Sequence, residues 1–436
     1  MFILDNSGHE AYFNTALMVK NGWAGEVPPA DPVGGRFGRN QDGTSNGRAY
    51  EISAVFAALG SLLGEVIPDP LQSAAKWYRT MAEHGITATT EHTFNGGLRS
   101  AIDALASLPD SPLRLSIYHM STEADAGEPI AFTAPDSMVR RVGIKLWADG
   151  SPWVGNIALT FPYLDNETVR GAGITPGAHG LEEMNYTREQ LDALLARFGG
   201  SRLQMAFHAN GDLAFDVVLD AYEQALGEHG LLGSAHHWRV EHVGAARADQ
   251  FGRAAKLGVN VSLAPFHFIY WGDLLDGTLF DPEIGSQWQR FADAVHSGTS
   301  ISFHNDGTVS PPIPLKNIQA AVTRRTESGQ LHGPEQKIGL DQALRAHTSE
   351  AALHIGRGDE IGSIEVGKRA DFTVLSADPY AVDPERLTDE VIVRGTWLNG
   401  TPRDLDRFID EVSAIDPAQH LAGGPRSSHN GKTPVR

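Results

Sequence analysis

None of the 436 residues is a cysteine. That removes a disulfide framework, thiolate metal ligands and a cysteine nucleophile together. Positive charge is also scarce. There are 35 Lys and Arg against 54 Asp and Glu, a formal net charge of −19, and the pI is near 5.3. Such a balance argues against broad electrostatic binding of nucleic acid or of an anionic membrane. No apolar run is long enough to span a bilayer. The opening Met-Phe-Ile-Leu-Asp-Asn-Ser-Gly-His lacks the basic start and longer apolar region of a signal peptide, so a soluble, cytoplasmic protein is expected. A P-loop and a Gly-x-Gly-x-x-Gly fingerprint are missing, and the one Gly-x-Ser-x-Gly match, Gly43-Thr44-Ser45-Asn46-Gly47, lies in the irregular first fifty residues and not at a strand-to-helix elbow. Phosphoryl transfer, dinucleotide chemistry and serine hydrolysis therefore have no positive signal.

What is present can bury a core. Hydrophobic residues make up 41% and charged residues 20%, and the length suits one large α/β domain plus a smaller module. Residues 1–50 read as irregular, with Pro28, Pro29, Pro32, Gly34 and Gly35 in one loop-like stretch. Helical patterns follow at 51–64 and 71–84. Strand-like runs then alternate with helix-like ones: Ile86–Glu91, Leu113–Tyr118, Val142–Trp147, Leu203–His208, Trp238–His242, Val259–Ala264 and Ser300–His304. Helices are expected at Arg188–Arg197, Leu213–Gly227 and Arg247–Leu257. This alternation predicts βαβ units and a parallel sheet, with seven strands where a closed barrel of this type has eight. After a last helix ending near Ser349–Leu353 the pattern turns β-rich, at Gly362–Val366, Asp371–Leu375 and Val391–Leu398. The expected organisation is a (β/α) barrel over 1–355 and a small β module over 356–415. A flexible tail from Asp416 completes it.

Four polar residues stand at or near the ends of short apolar runs: Lys145, His208, His242 and Asp306. In a parallel barrel such ends converge on one face, where catalysis sits. Two imidazoles, a carboxylate and a lysine there would suit a divalent metal and its activated water. Each residue also has a plainer reading. A lone strand-end histidine is more often structural, but His208 and His242 on consecutive strands make a pair. Asp306, before Gly307, is either a turn residue or a general base. His304 lies two residues earlier and shares its face of the strand. Lys145 either reaches solvent along its stem or acts as a carbamate able to bridge two metals. The surroundings of His9 are explained by helix capping from Asn6 or Ser7, or His9 meets substrate. The aromatic run His267 to Asp273, which includes Trp271, is packing or a mobile wall lining a pocket for an apolar substrate.

Taken together the motifs resemble the amidohydrolase superfamily, in particular the amidohydrolase 3 group that includes N-substituted formamide deformylases. The resemblance runs from about Ser7 to Gly400, in the family's order. Ser-Gly-His-Glu-Ala-Tyr-Phe-Asn-Thr-Ala-Leu is similar to the segment before the second barrel strand, and Gly-Ile-Thr-Ala-Thr-Thr-Glu-His to that strand. Ile-Lys-Leu-Trp-Ala-Asp-Gly-Ser resembles the fourth strand, Phe-His-Ala-Asn-Gly-Asp the fifth and Val-Glu-His-Val the sixth. Phe-His-Asn-Asp-Gly-Thr-Val-Ser-Pro-Pro resembles the eighth. Ala-Val-Thr-Arg-Arg-Thr and Gly-Ser-Ile-Glu-Val-Gly-Lys-Arg-Ala-Asp-Phe-Thr-Val-Leu complete the set. The resemblance implies a TIM-type (β/α) barrel with a partial β-sandwich module. It puts His208 and His242 on metal-ligand positions, Lys145 where many members carry a carboxylated lysine, and Asp306 in the base position. The implied cofactor is a divalent metal, zinc by preference, as one ion or two.

One departure is plain. Members carry a His-x-His pair at the end of the first barrel strand, and this sequence contains none. It starts inside what would be the middle of the family's N-terminal half, so a barrel lacking its first strand is expected. The leading functional expectation is a metal-dependent amidohydrolase cutting a non-peptide C–N bond of a small molecule, with Asp306 and His304 in the chemistry and His9 and Trp271 on the substrate. A truncated or divergent member with a binding or regulatory role is the alternative, motivated by the absent pair. A cyclic-amidine deaminase is the third. No nucleic-acid or membrane partner is expected, and a homo-oligomer is compatible with the sequence.

Overall fold

The computed structural model describes residues 1–23, 27–62, 65 and 69–415. The first fifty residues are more regular than their sequence implies. Strands β1 (Phe2–Leu4), β2 (Glu10–Phe13), β3 (Arg36–Arg39) and β4 (Ser45–Tyr50) form an antiparallel sheet in the order β1-β2-β4-β3. Short strands with long connections hide the alternation on which a strand is recognised. Ala11, Phe13, Phe37 and Ala49 are buried beneath the helices Thr15–Lys20 and Glu51–Leu59. Asn14, not Asn6 or Ser7, caps the first of these helices. Ser7 instead accepts the backbone N–H of His9 at 3.2 Å in the turn leading into β2.

The helix Pro70–Glu83 starts cleanly. Asp69 accepts from the backbone of Gln72, and Pro70 occupies the first turn, where its missing N–H costs nothing. Its buried face is Leu71, Ala75, Tyr78 and Ala82, the spacing of one helical stripe. It leads into β5 (Ala88–Phe94), β6 (Arg114–Met120) and β7 (Val139–Trp147). An antiparallel pair of two-residue strands, β8 (Pro162–Tyr163) and β9 (Gly177–Ala178), interrupts the series. Then come β10 (Gln204–Ala209), β11 (Arg239–His242), β12 (Asn260–Leu263) and β13 (Ile301–Phe303). The seven long-range partners form one parallel sheet in the order β13-β12-β11-β10-β7-β6-β5, matching the seven expected strands. Among the described residues β13 and β5 do not pair, so the barrel is open.

Alternation sorts the two faces of this sheet. Ile144, Leu146, Met205, Phe207, Val240, Val261, Leu263, Ile301 and Phe303 point outward into the main core, against the helices Asp212–Glu228 and Ala248–Leu257. Phe207 and Phe215 there are fully buried, each contributing roughly 1.5–3 kcal/mol. The inner face is polar. Tyr118, Lys145, Gln204, His208, Arg239, Glu241 and Ser262 line it, where barrel interiors are ordinarily filled with branched apolar residues. That polar interior forms the floor of the site.

Strands β14 (Phe372–Leu375), β15 (Val393–Leu398) and β16 (Thr401–Pro402) form the C-terminal antiparallel sheet. Gly362–Val366 is not a strand. Gly362 at φ +93 and Gly367 at φ +100 break the extension, and Ile364 and Val366 stand in solvent. The tail expected to be flexible, from Asp416, lies outside the described residues. Arg114 ties this sheet to the barrel. Its fully buried guanidinium donates to both carboxylate oxygens of Asp371 (2.5 and 2.8 Å), to Asn399 (2.8 Å) and to the carbonyl of Ser137 (2.8 Å). Asp371→Ala leaves that charge buried and uncompensated, and is expected to cost about 3–5 kcal/mol. Denaturant titration checks this as a fall in the unfolding midpoint.

Candidate active site

At the carboxyl ends of the strands the side chains singled out from the sequence come together. Register brings them level. Ala206 pairs with both Lys145 and Arg239, His208 with Trp147 and Glu241, and Ala209 with His242. His242 shares the outward parity of Val240. Its left-handed backbone (φ +73), followed by Val243 at φ +44, instead brings its ring among the others, and strain of this kind concentrates at functional sites. An arc of imidazoles results. Ring centroids lie 4.6 Å apart for His9 and His208, 4.3 Å for His208 and His242, and 4.7 Å for His242 and His304. His267 stacks on His242 at 5.5 Å.

Burial sets the charge of these rings. It holds His208 far below the usual histidine range, aided by the charge fields of His9 and Lys145. His242 is depressed likewise by burial and then by His208 and His304, and His267 falls to about 3. His304 is lowered too, by burial, against the opposing pull of Glu241 and Asp306. His9 is the exception: burial would lower it, but the Glu51 carboxylate 2.9 Å from Nδ1 raises it. Lys145 has its amine brought down to about 8 by burial, partly offset by Glu241 and Asp306. Glu241 is buried yet stays well below the usual carboxylate range, because Arg239 Nε lies 2.5 Å away and His92 and Lys145 are close.

Asp149 stands in the sequence as one residue of Ile-Lys-Leu-Trp-Ala-Asp-Gly-Ser. It is fully buried and accepts the backbone N–H groups of Asn210 (2.8 Å), Gly211 (2.8 Å) and Ala158 (3.2 Å). Burial nevertheless raises it to about 7. It thereby pins the turn that follows His208.

Asp306 is placed differently from the rest. Strand β13 closes at Phe303, so His304 and Asp306 lie in the following loop. Asp306 sits exposed, at φ +50. Its charge acts on His9, Lys145 and His304. The aromatic run from His267 belongs to the helix Pro265–Leu275 and is regular helix where a mobile segment was expected. Half-buried Trp271 stacks on Trp153 at 4.5 Å, and Trp153 meets His267 edge-on at 5.5 Å. Gln289 braces this region: its side chain donates to the carbonyl of His242 (3.0 Å) and accepts from the backbone N–H of Ala264 (2.9 Å).

The donor chemistry suits a divalent cation in kind. Each of the two principal imidazoles has one nitrogen engaged, His208 Nε2 with the Gly150 carbonyl at 2.8 Å and His242 Nδ1 with His304 Nε2 at 3.1 Å. That is how ligating histidines are ordinarily oriented, leaving the second nitrogen free. Both rings are neutral, as ligation requires. Among the described residues no three His, Asp or Glu side chains gather closely enough to hold an ion.

Several members of the constellation had little local signal. Glu51, in Arg-Ala-Tyr-Glu ahead of a helix, reads as an ordinary acidic first-turn residue. Gln289 and Asn185 sit in irregular segments, and Asp149 reads as a turn before Gly150. Only the tertiary fold brings them to the site.

A parallel (β/α) half-barrel with ionisable groups at the carboxyl ends of its strands is the architecture of a barrel enzyme. Residues 1–403 match the model of the amidohydrolase family, and the chain belongs to that family. It is 25% identical over 413 residues to N-substituted formamide deformylase of Arthrobacter pascens, a match covering 92% of this chain and 73% of that one. It is 28% identical over 264 residues to YtcJ of Bacillus subtilis, covering 59% of this chain and 46% of YtcJ. A similar solved structure is an uncharacterized metal-dependent hydrolase from Pyrococcus horikoshii OT3. The TM-score is 0.66 at 22% identity, over 88% of this chain and 72% of the other, which is a likeness of fold. No described helix is long and apolar enough to cross a membrane.

Proposed function

We propose that this chain hydrolyses a non-peptide C–N bond in a small molecule, an N-substituted formamide or a related amide. The observation that carries the reading is the grouping of neutral His208 and His242 with Lys145, whose amine is pushed down to about 8, in the charge field of Asp306. His208, His242 and the carbamate of Lys145 would hold a divalent cation, zinc by preference for this nitrogen-rich set, as one ion or two. Such an ion supplies carbonyl polarisation and an easier ionisation of water. Asp306 takes a proton from the attacking water and passes it to the departing nitrogen. His304, bonded to both His242 and Ser262 Oγ (2.8 Å), orients the neighbouring ring and faces the reacting group. His9 meets the substrate from the N-terminal sheet, while Trp271 and Trp153 offer an apolar surface to its substituent. Similarity to the Arthrobacter deformylase supports the substrate class.

Metal analysis of the purified chain, combined with assays on N-substituted formamides, tests this. Stoichiometric zinc and release of formate with the amine are expected. Activity should disappear on chelation and return with added zinc. Ammonia release from a cyclic amidine would instead identify a deaminase. Absence of both metal and turnover would favour a binding or regulatory member of the family, a reading motivated by the lack of a three-donor group among the described residues.

A further inference from the structure

Glu51 opens the helix Glu51–Leu59 with a left-handed backbone (φ +68) and a side chain only 2% exposed. A non-glycine residue held there costs on the order of 1–3 kcal/mol and persists only where its surroundings enforce it. Two amides do so. Asn156 Nδ2 donates to Oε1, and its amide orientation is fixed because Oδ1 accepts the backbone N–H of Ser151 at 2.7 Å. Asn185 Nδ2 donates to Oε2 at 2.9 Å and also to the carbonyl of Asp149 at 3.1 Å, which fixes it equally. Gly150 permits this approach, since a Cβ there would lie 2.2 Å from Oε1. Both carboxylate oxygens thus act as acceptors, so His9 Nδ1, at 2.9 Å from Oε2, is the donor of that pair. The backbone repeats the connection: Glu51 N–H donates to the carbonyl of His9 at 2.8 Å.

We propose that Glu51 is a positioning residue that holds His9 by its Nδ1–H, so that in the neutral ring the Nε2 lone pair accepts the N–H of a monosubstituted amide. Because Glu51 also favours the protonated ring, this acceptor is present on the alkaline side, where the ring is neutral. The inference rests on the amide-hydrolase reading of this site and narrows it, since an N,N-disubstituted amide has no N–H to offer. A carboxylate that fixes an imidazole in this way acts through the tautomer and the ring plane. A carboxylate that merely anchored the N-terminal sheet would leave the choice between amides untouched.

Nitrogen-resolved NMR of the full chain with labelled histidines tests this without turnover. The His9 signals are those lost in His9→Asn. At alkaline pH, where the ring is neutral, they should show a proton on Nδ1 and a bare Nε2. Adding N-methylacetamide should move the Nε2 resonance, and N,N-dimethylacetamide should not. Glu51→Leu removes both acceptor oxygens at similar size and should mix the tautomers; a Gln would keep its oxygen at the Oε2 position, where His9 and Asn185 both donate. With an N-monosubstituted formamide the kcat/KM of Glu51→Leu should fall about ten- to hundred-fold. A proton on Nε2 in the wild type, an unchanged tautomer in Glu51→Leu, or an equal response to both amides would overturn the assignment. A bare Nε2 in a chain without turnover would instead count against the hydrolase reading alone. The wild-type spectrum decides the tautomer even if Glu51→Leu fails to fold.

Discussion

Asp306→Asn is expected to abolish hydrolysis of an N-substituted formamide while leaving the fold intact. The substitution keeps the shape of the side chain and removes its ability to take a proton. Asn accepts a left-handed backbone at least as readily as Asp, so φ +50 costs nothing new. Because the side chain is exposed, no buried partner is lost, and stability should change by about 0.5 kcal/mol or less. The rate should fall on the order of 10²–10⁴-fold, the usual contribution of a positioned general base. If Asp306 serves only in the transition state, kcat and kcat/KM fall together with KM little changed. Steady-state kinetics beside circular dichroism checks both halves. Activity within a few-fold of wild type would remove Asp306 from the base role. His304 would then be the remaining candidate, since it shares the same field and lies against His242.

The parts of this molecule that could be read in advance share a physical origin. Most barrel strands pack an apolar face into the helix layer, and so leave a short run between helical patterns; β5, buried only at Phe94, is the weakest of them. All seven runs became strands, shifted by no more than a few residues. Lys145, His208 and His242 stood out because they end neighbouring runs, which a parallel sheet brings to one face, although each alone has a structural reading. The antiparallel N-terminal sheet was hidden for the opposite reason. Strands of three to six residues joined by Pro- and Gly-rich loops show no sustained period. Glu51, Asn156 and Asn185 were illegible because their meaning lies in one another. They are separated by 105 and 134 residues from the carboxylate they surround, and nothing local distinguishes them from surface polar residues. His242 falls between these cases: its identity was legible, but the left-handed turn that aims it was not.

Lys145→Met should make the protein more stable and inactive at once. The lysine amine titrates near 8 in the folded chain against a usual 10.5, because burial disfavours its charged form. The unfolded chain therefore holds the proton more tightly, and stability rises with pH across that interval. Above about 10.5 both states carry a neutral amine and the penalty vanishes; below about 8 it is fully present, roughly 3 kcal/mol. Methionine fills similar space with no charge to desolvate, and Glu241 keeps Arg239 as its counter-ion. The variant should thus gain about 1–3 kcal/mol at neutral pH, the gain shrinking steadily as the solution is made alkaline. Bicarbonate sharpens the test. Carbamate formation consumes the neutral amine and occurs on the folded chain, so by mass action it stabilises the wild type. Raising bicarbonate should then lift the wild-type Tm toward that of Lys145→Met and leave the variant unmoved. A variant less stable than wild type at neutral pH would mean that Lys145 is a structural cation of the barrel interior, and would remove it from the proposed ligand set. Equal bicarbonate responses in both proteins would exclude the carbamate and leave His208 and His242 without the third donor on which the hydrolase reading depends.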